Sequence, residues 1–202
     1  VIILLLRGIF MVPERTAIAG VTLIVVVIGL LVGVSLFVYQ TSDNSNTTTN
    51  TTLIGITPDQ DLLELGLKVP TDWSFAMSNG SYITLSDLSG KVILVDLMAT
   101  WCSACASENT NLEGVYENLA GPLIILSLSV DVSETVSMLA DYKSAHSLPW
   151  DHGLDSNSAF TNYFGVTSIP SLVLIDGKGY FRFFHVGLWS EASISDRVAS
   201  IM

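Results

Sequence analysis

Basic side chains are scarce in this chain. Lys and Arg together number eight in 202 residues, against nineteen Asp and Glu, for a net charge of −11. Residues 41–202 carry six of the basic and eighteen of the acidic residues, a balance of −12. Such a surface argues against binding nucleic acid or anionic lipid headgroups, which both need clustered cations. Cysteine is nearly absent: Cys102 and Cys105 are the only two. A pair cannot build the disulfide scaffold of a small secreted domain, which uses more. Histidine is limited to His146, His152 and His185. A structural zinc site takes four ligands, and no second metal-type pair accompanies the cysteines.

Charge is also missing from Ala17 to Tyr39, which are almost all apolar. These 23 residues account for much of the mean hydropathy of +0.55. About 20 residues cross a bilayer core of roughly 30 Å, and a run apolar on all sides leaves no face for water. The span exceeds a signal-peptide core, and Val38-Tyr39-Gln40-Thr41-Ser42 has no small-x-small cleavage site. We therefore read residues 17–39 as an uncleaved transmembrane helix that anchors the chain. Arg7 and Arg15 precede it, and no Lys or Arg follows until Lys68. The positive-inside tendency puts residues 1–16 in the cytoplasm and the C-terminal part outside. Met11 offers a tidy start, so residues 1–10 read as an upstream extension.

Residues 40–52, rich in Asn and Thr, are too polar to bury a core and read as a flexible tether. Asn46, Asn50 and Asn79 fit the glycosylation acceptor pattern, which also arises by chance in such sequence. Residues 53–202 read as one extracytoplasmic α/β domain. The expected elements are a short helix at 59–67, strands at 73–77 and 82–85 around an Asn79-Gly80 turn, a buried strand at 91–98 and a helix at 102–119. A strand at 123–130, helices at 133–146 and 157–164, strands at 171–175 and 180–186 and a helix at 191–202 follow. Strands alternating with helices imply a sheet between helical layers.

The two cysteines stand at the junction of the 91–98 strand and the next helix, as Trp101-Cys102-Ser103-Ala104-Cys105. A thiol in the first helical turn meets unpaired N–H groups and the positive end of the helix dipole. Both lower its pKa and favour the nucleophilic thiolate. A second thiol one turn away can close an internal disulfide. A structural staple gains little from so short a loop. Two inert buried thiols would leave the spacing to coincidence. The pair reads as a redox centre.

The order of motifs resembles the thioredoxin fold, and more closely the TlpA/ResA-like branch of membrane-anchored thiol–disulfide oxidoreductases. The resemblance spans roughly residues 69–202. It rests on Ile83 to Lys91 leading into the active-site strand, Ala99-Thr100-Trp101-Cys102-x-x-Cys105, Glu108, Leu112-Glu113 with Tyr116, Val130-Asp131, Phe164 to Pro170, and Leu174-Ile175-Asp176 with Gly179. It implies a thioredoxin-like fold, a central mixed β-sheet flanked by helices. Cys102 matches the attacking cysteine and Cys105 the resolving one. Pro170 matches a cis-proline facing the disulfide. Trp101 and Ile169 would border an extended substrate segment. Asp96, costly to bury in an apolar strand, matches the thioredoxin acid linked to proton transfer to the resolving cysteine. Glu108 matches an acid near the active site. Ser103-Ala104, Ala106 and Thr110 depart from the family's usual residues and bear on redox potential rather than fold.

The resemblance further implies protein thiol or disulfide substrates, such as apocytochrome c, and electrons from a membrane carrier of the CcdA/DsbD type. It implies no metal or organic cofactor beyond the thiol pair. Two other readings fit a cysteine pair on this fold: a Sco-type copper metallochaperone with His152 or His185 as a third ligand, and a thiol peroxidase.

Overall fold

The computed structural model describes residues 24–26, 37–39, 56–119 and 121–202. The chain divides into two units, residues 1–50 and 51–202. In the first, β1 (Ile24–Val26) pairs antiparallel with β2 (Phe37–Tyr39). Both lie within the charge-free span. The rest of that span, the segment before it and the Asn/Thr-rich tether lie outside the described residues. Among the described residues no helix is long and apolar enough to cross a membrane.

The first strands of the second unit form a hairpin, β3 (Ser74–Ala76) and β4 (Tyr82–Thr84). Its turn is the expected Asn79-Gly80: Gly80 sits at φ 84, and Asn79 Oδ1 accepts from the Ser81 N–H at 2.9 Å. Then come β5 (Val92–Met98), α1 (Ser103–Leu119), β6 (Leu123–Ser129), α2 (Val136–Ala145), β7 (Asp151–Leu154) and α3 (Ala159–Phe164). Strands β8 (Ser171–Ile175) and β9 (Phe181–Val186) and helix α4 (Glu191–Ala199) complete it. The main sheet has the order β7-β6-β5-β8-β9. Strands β5, β6 and β7 run parallel, and β8 and β9 run antiparallel to their neighbours.

The pleat of β5 sorts its residues between two cores. Val92, Leu94 and Met98 face a core that includes Leu112 and Val115 of α1, Leu139 of α2, and Ile194 and Val198 of α4. Ile93, Val95 and Leu97 face another with Phe75, Phe160 and Phe164. All seven β5 residues are buried. A strand covered on both faces reads as one continuous apolar run rather than an alternating one, which explains the sequence of β5, β6 and β8. Asp96 lies two residues from both Leu94 and Met98, and so on the α1 side of the sheet.

Two expectations differ from the structure. The 59–67 segment forms only a 3-10 turn at Leu63–Leu65, preceded by Asp59 at φ 67. Asn157 and Ser158 also adopt positive φ, so α3 starts at Ala159 instead of 157. Strand β7 was not legible, because Asp151-His152-Gly153-Leu154 has no apolar alternation. Tertiary context makes it a strand. It pairs with Leu126–Ser129 of β6, and Gly153 leaves room for the Ala76 carbonyl, 2.8 Å from where a Cβ would stand.

Candidate active site

Strand β5 ends at Met98, and the chain turns through Ala99-Thr100-Trp101 into α1. The Cys102 N–H closes the turn on the Ala99 carbonyl at 3.0 Å, and the Ala106 N–H reaches the Cys102 carbonyl at 3.1 Å. Cys102 and Cys105 form a disulfide with Cα atoms 5.2 Å apart. The Cys105 N–H points at Cys102 Sγ, 3.1 Å away, so the first helical turn directs a donor at the sulfur expected to attack. Cys102 is 6% exposed and Cys105 1%. The outer sulfur is thus Cys102, though little of it is open.

The loop before β8 covers the pair. Its Ile169–Pro170 peptide is cis, and the Ile169 carbonyl oxygen lies 4.0 Å from Cys102 Sγ. Trp101 is 68% exposed. Its ring is nevertheless held, because Nε1 donates to Asp131 Oδ2 at 2.7 Å. Bonds from Ser133 and Trp101 keep the Asp131 carboxyl below its usual pKa.

Asp96 is 1% exposed. It stands opposite Ser127 in the β5–β6 register, and Ser127 Oγ donates to its Oδ2 at 2.8 Å. Its Oδ1 has no hydrogen-bond partner. Burial pushes its pKa from the usual 3.8 up to about 7; the Ser127 bond opposes the rise and the Glu108 charge adds to it. Glu108, one turn beyond Cys105, is fully buried rather than solvated. Its Oε2 accepts from the Trp189 N–H at 3.0 Å and from Asn111 Nδ2 at 3.3 Å, and its Oε1 is unpartnered. Burial raises its pKa against these two bonds and the influence of His185. The structure therefore brings Asp96, Cys102, Cys105, Trp101, Ile169 and Pro170 to the end of β5, with Glu108 on the helix behind.

Three residues of this region escaped sequence reasoning. Glu134 is buried, and its Oε1 accepts both the Thr100 N–H at 2.8 Å and the Thr100 hydroxyl at 2.6 Å. Ser127 and Trp150 form a bonded chain to Asp96. No periodicity marks these partners. Each reaches the site only through the pairing of β6 with β5 or the loops beyond it.

The two histidines considered as copper ligands have other neighbours. His152 is buried with Nδ1 3.2 Å from the Trp150 carbonyl, and His185 Nδ1 lies 2.6 Å from Asp59 Oδ1. Among the described residues no three His, Cys, Asp or Glu side chains group as a metal site.

A short disulfide loop set at the strand–helix junction of this sheet is the hallmark of thioredoxin-superfamily thiol–disulfide oxidoreductases, and the protein is of that class. Residues 65–184, more than half of the chain, match the AhpC/TSA family, and the chain belongs to that family. It is similar to the thioredoxin-like protein YneN of Bacillus subtilis (strain 168), 23% identical over 137 residues, covering 67% of this chain and 79% of the relative. It is also similar to the thiol-disulfide oxidoreductase ResA of the same strain, 24% identical over 119 residues, covering 59% and 66%. Among solved structures, StoA from Bacillus subtilis superposes with a TM-score of 0.55 at 18% identity, over 65% of this chain and 98% of that one. A thiol:disulfide interchange protein of Chlorobium tepidum TLS gives 0.58 at 21% identity, over 67% and 97%. At such identities the structural likeness speaks for the fold.

Proposed function

We propose that this protein reduces disulfide bonds of other proteins on the outer side of a membrane, tethered there by residues 17–39 with its N-terminus in the cytoplasm. The observation that carries the reading is the Cys102–Cys105 disulfide sharing one face of β5 with a buried acid whose pKa lies near neutrality. In the dithiol state the Cys102 thiolate attacks one sulfur of a substrate disulfide. The substrate S–S bond breaks, and a mixed disulfide forms. Cys105 gives its proton to Asp96, or to Glu108, and its thiolate attacks Cys102 Sγ. The mixed disulfide breaks, the substrate leaves as a dithiol, and the Cys102–Cys105 bond forms. Two electrons pass to the substrate. A membrane carrier of the CcdA/DsbD type restores them. The steps draw on the thiol pair alone, with no metal or organic cofactor.

The charge around the pair supports the reducing direction. Asp96 lies on the strand before it, Glu108 on the helix after it, and Glu134 against Thr100, all buried. When Asp96 and Glu108 ionise, their charge penalises a thiolate on the buried Cys105. A dithiol whose resolving thiolate is destabilised gives up electrons more readily, the reverse of a strong oxidant whose reduced form is stabilised. Trp101 and the Ile169 carbonyl border the outer sulfur and offer a face and a backbone acceptor to an extended polypeptide.

Trapping tests the proposal. Cys105→Ala should accumulate mixed disulfides with protein clients, and Cys102→Ala should not. Reduced protein should also consume insulin disulfides faster than hydrogen peroxide. Equal trapping by both variants contradicts the assigned roles, and preferential peroxide consumption favours the peroxidase reading.

A further inference from the structure

Two residues outside the disulfide motif decide how Asp96 can hold a proton, and their role rests on Asp96 being the proton carrier of the proposed reaction. Ser127 is fully buried, and its Oγ lies 2.8 Å from Asp96 Oδ2 and 2.9 Å from Trp150 Nε1. An indole N–H only donates, so Trp150 donates to Ser127. A hydroxyl has a single hydrogen. Ser127 therefore turns its own toward Asp96. The bonds run one way, from Trp150 through Ser127 to Asp96, and each donor polarises the next. Oδ2 is thereby committed as an acceptor. Oδ1, buried and without a partner, is the oxygen left to take up and release the proton.

We infer that Ser127 and Trp150 are positioning residues that act through Asp96: they orient its carboxyl with Oδ1 open to the proton and stabilise its anion inside the core. Burial alone drives a carboxyl neutral. Of the influences on Asp96, that of Ser127 is the one favouring the anion, whereas Glu108 on α1 opposes it. No cation is among the groups that act on Asp96; Lys143 and His146 of α2 act on His152 instead. Tyr142 on α2 has its phenol pushed up, by burial first and also by Asp96 and Glu134, so it stays neutral. His152 of β7 stacks on Trp150 with ring centroids 6.1 Å apart, and burial lowers its pKa to about 4. Strand β8 places Leu172 opposite Asp96. Cys105 of α1 belongs to the same core. An anion at Asp96 thus depends on the Trp150–Ser127 relay.

The test follows the Asp96 carboxyl directly. Difference infrared spectra of the full-length, reduced protein across pH report its protonated C=O band, which Asp96→Asn identifies. Ser127→Ala should move the midpoint up by about one pH unit, and Ser127→Thr should restore it. Trp150→Phe keeps an aromatic ring and removes the donor, and should move the midpoint up by less. Ser127→Ala leaves the Trp150 N–H without an acceptor, so the double variant Ser127→Ala/Trp150→Phe is measured beside it and should show the upward shift too. The pH profile of the resolving step should move with the midpoint. A midpoint unmoved in both Ser127→Ala and the double variant overturns the inference. A midpoint that moves while the resolving-step profile stays fixed supports the relay and removes Asp96 from the proton path.

Discussion

Asp96→Asn replaces a buried ionisable group by a neutral amide of nearly the same shape. The Asn carbonyl can still accept from Ser127, so the packing and the bond at 2.8 Å survive. The proton and the charge are lost, and an amide NH2 takes the place of the unpartnered Oδ1 at a cost that does not vary with pH. The effect on stability follows from linkage. The folded-state pKa is raised from the usual 3.8 to about 7. Between these values the folded protein holds a proton that the unfolded chain releases. Stability of the native protein therefore falls as pH rises through this window, by a total on the order of 4 kcal/mol. The Asn variant lacks this loss, because it has nothing to ionise. The difference in unfolding free energy between the two proteins should be flat below about pH 4 and grow in favour of Asn up to neutrality. It should level off above the folded-state pKa. Urea unfolding of both proteins from pH 3.5 to 8.5 measures it, and the contributions of other groups cancel in the difference. Stopped-flow turnover on a model disulfide reads the kinetic half: the first attack should be nearly unchanged and the resolving step slowed, since Asn cannot take the Cys105 proton. Parallel stability curves with unchanged resolution kinetics would refute the reasoning and leave proton transfer to Glu108 or water.

Other outcomes follow from the same structure. Glu134→Ala leaves the half-buried Thr100 N–H and hydroxyl without their acceptor and should cost about 1–2 kcal/mol in urea unfolding, while Glu134→Gln keeps the accepting oxygen and should cost less. Asp131→Ala frees the Trp101 indole; a more mobile Trp101 should appear as lowered fluorescence anisotropy, with KM for protein disulfides raised more than KM for a small model disulfide. The charge-free 17–39 span predicts that the full-length protein stays in membranes after alkaline carbonate washing and that its domain is open to added protease from outside. Release on washing, or protection of the domain in intact cells, would remove the anchor and its orientation.

Much of the fold was legible because its strands are covered on both sides. The runs Val92–Met98, Leu123–Ser129 and Ser171–Ile175 are apolar enough to be read directly. Turns announced by Asn79-Gly80 and Gly165 appear where glycine's positive φ is needed, at 84° and 62°. Strand β7 was hidden, since pairing with β6 makes it a strand rather than its own side chains. The disulfide pair was legible from its spacing and its place after an apolar strand. Asp96 stood out as an acid in an apolar run. Glu134, Ser127 and Trp150 were not visible, because residues 23 to 34 positions apart meet only through the β5–β6 register and the loops beyond it. The burial of Glu108 was not legible either, because the Trp189 N–H it accepts from lies 81 residues further on.

The reduction potential of the Cys102–Cys105 pair decides most directly whether this protein is a reductant. Equilibration of the full-length protein against glutathione or dithiothreitol buffers, with alkylation to count free thiols, gives it. Buried carboxyls around the pair predict a value near that of thioredoxin, about −270 mV, as a reductant requires. A value near −120 mV would mark an oxidant and contradict the proposed direction of electron flow.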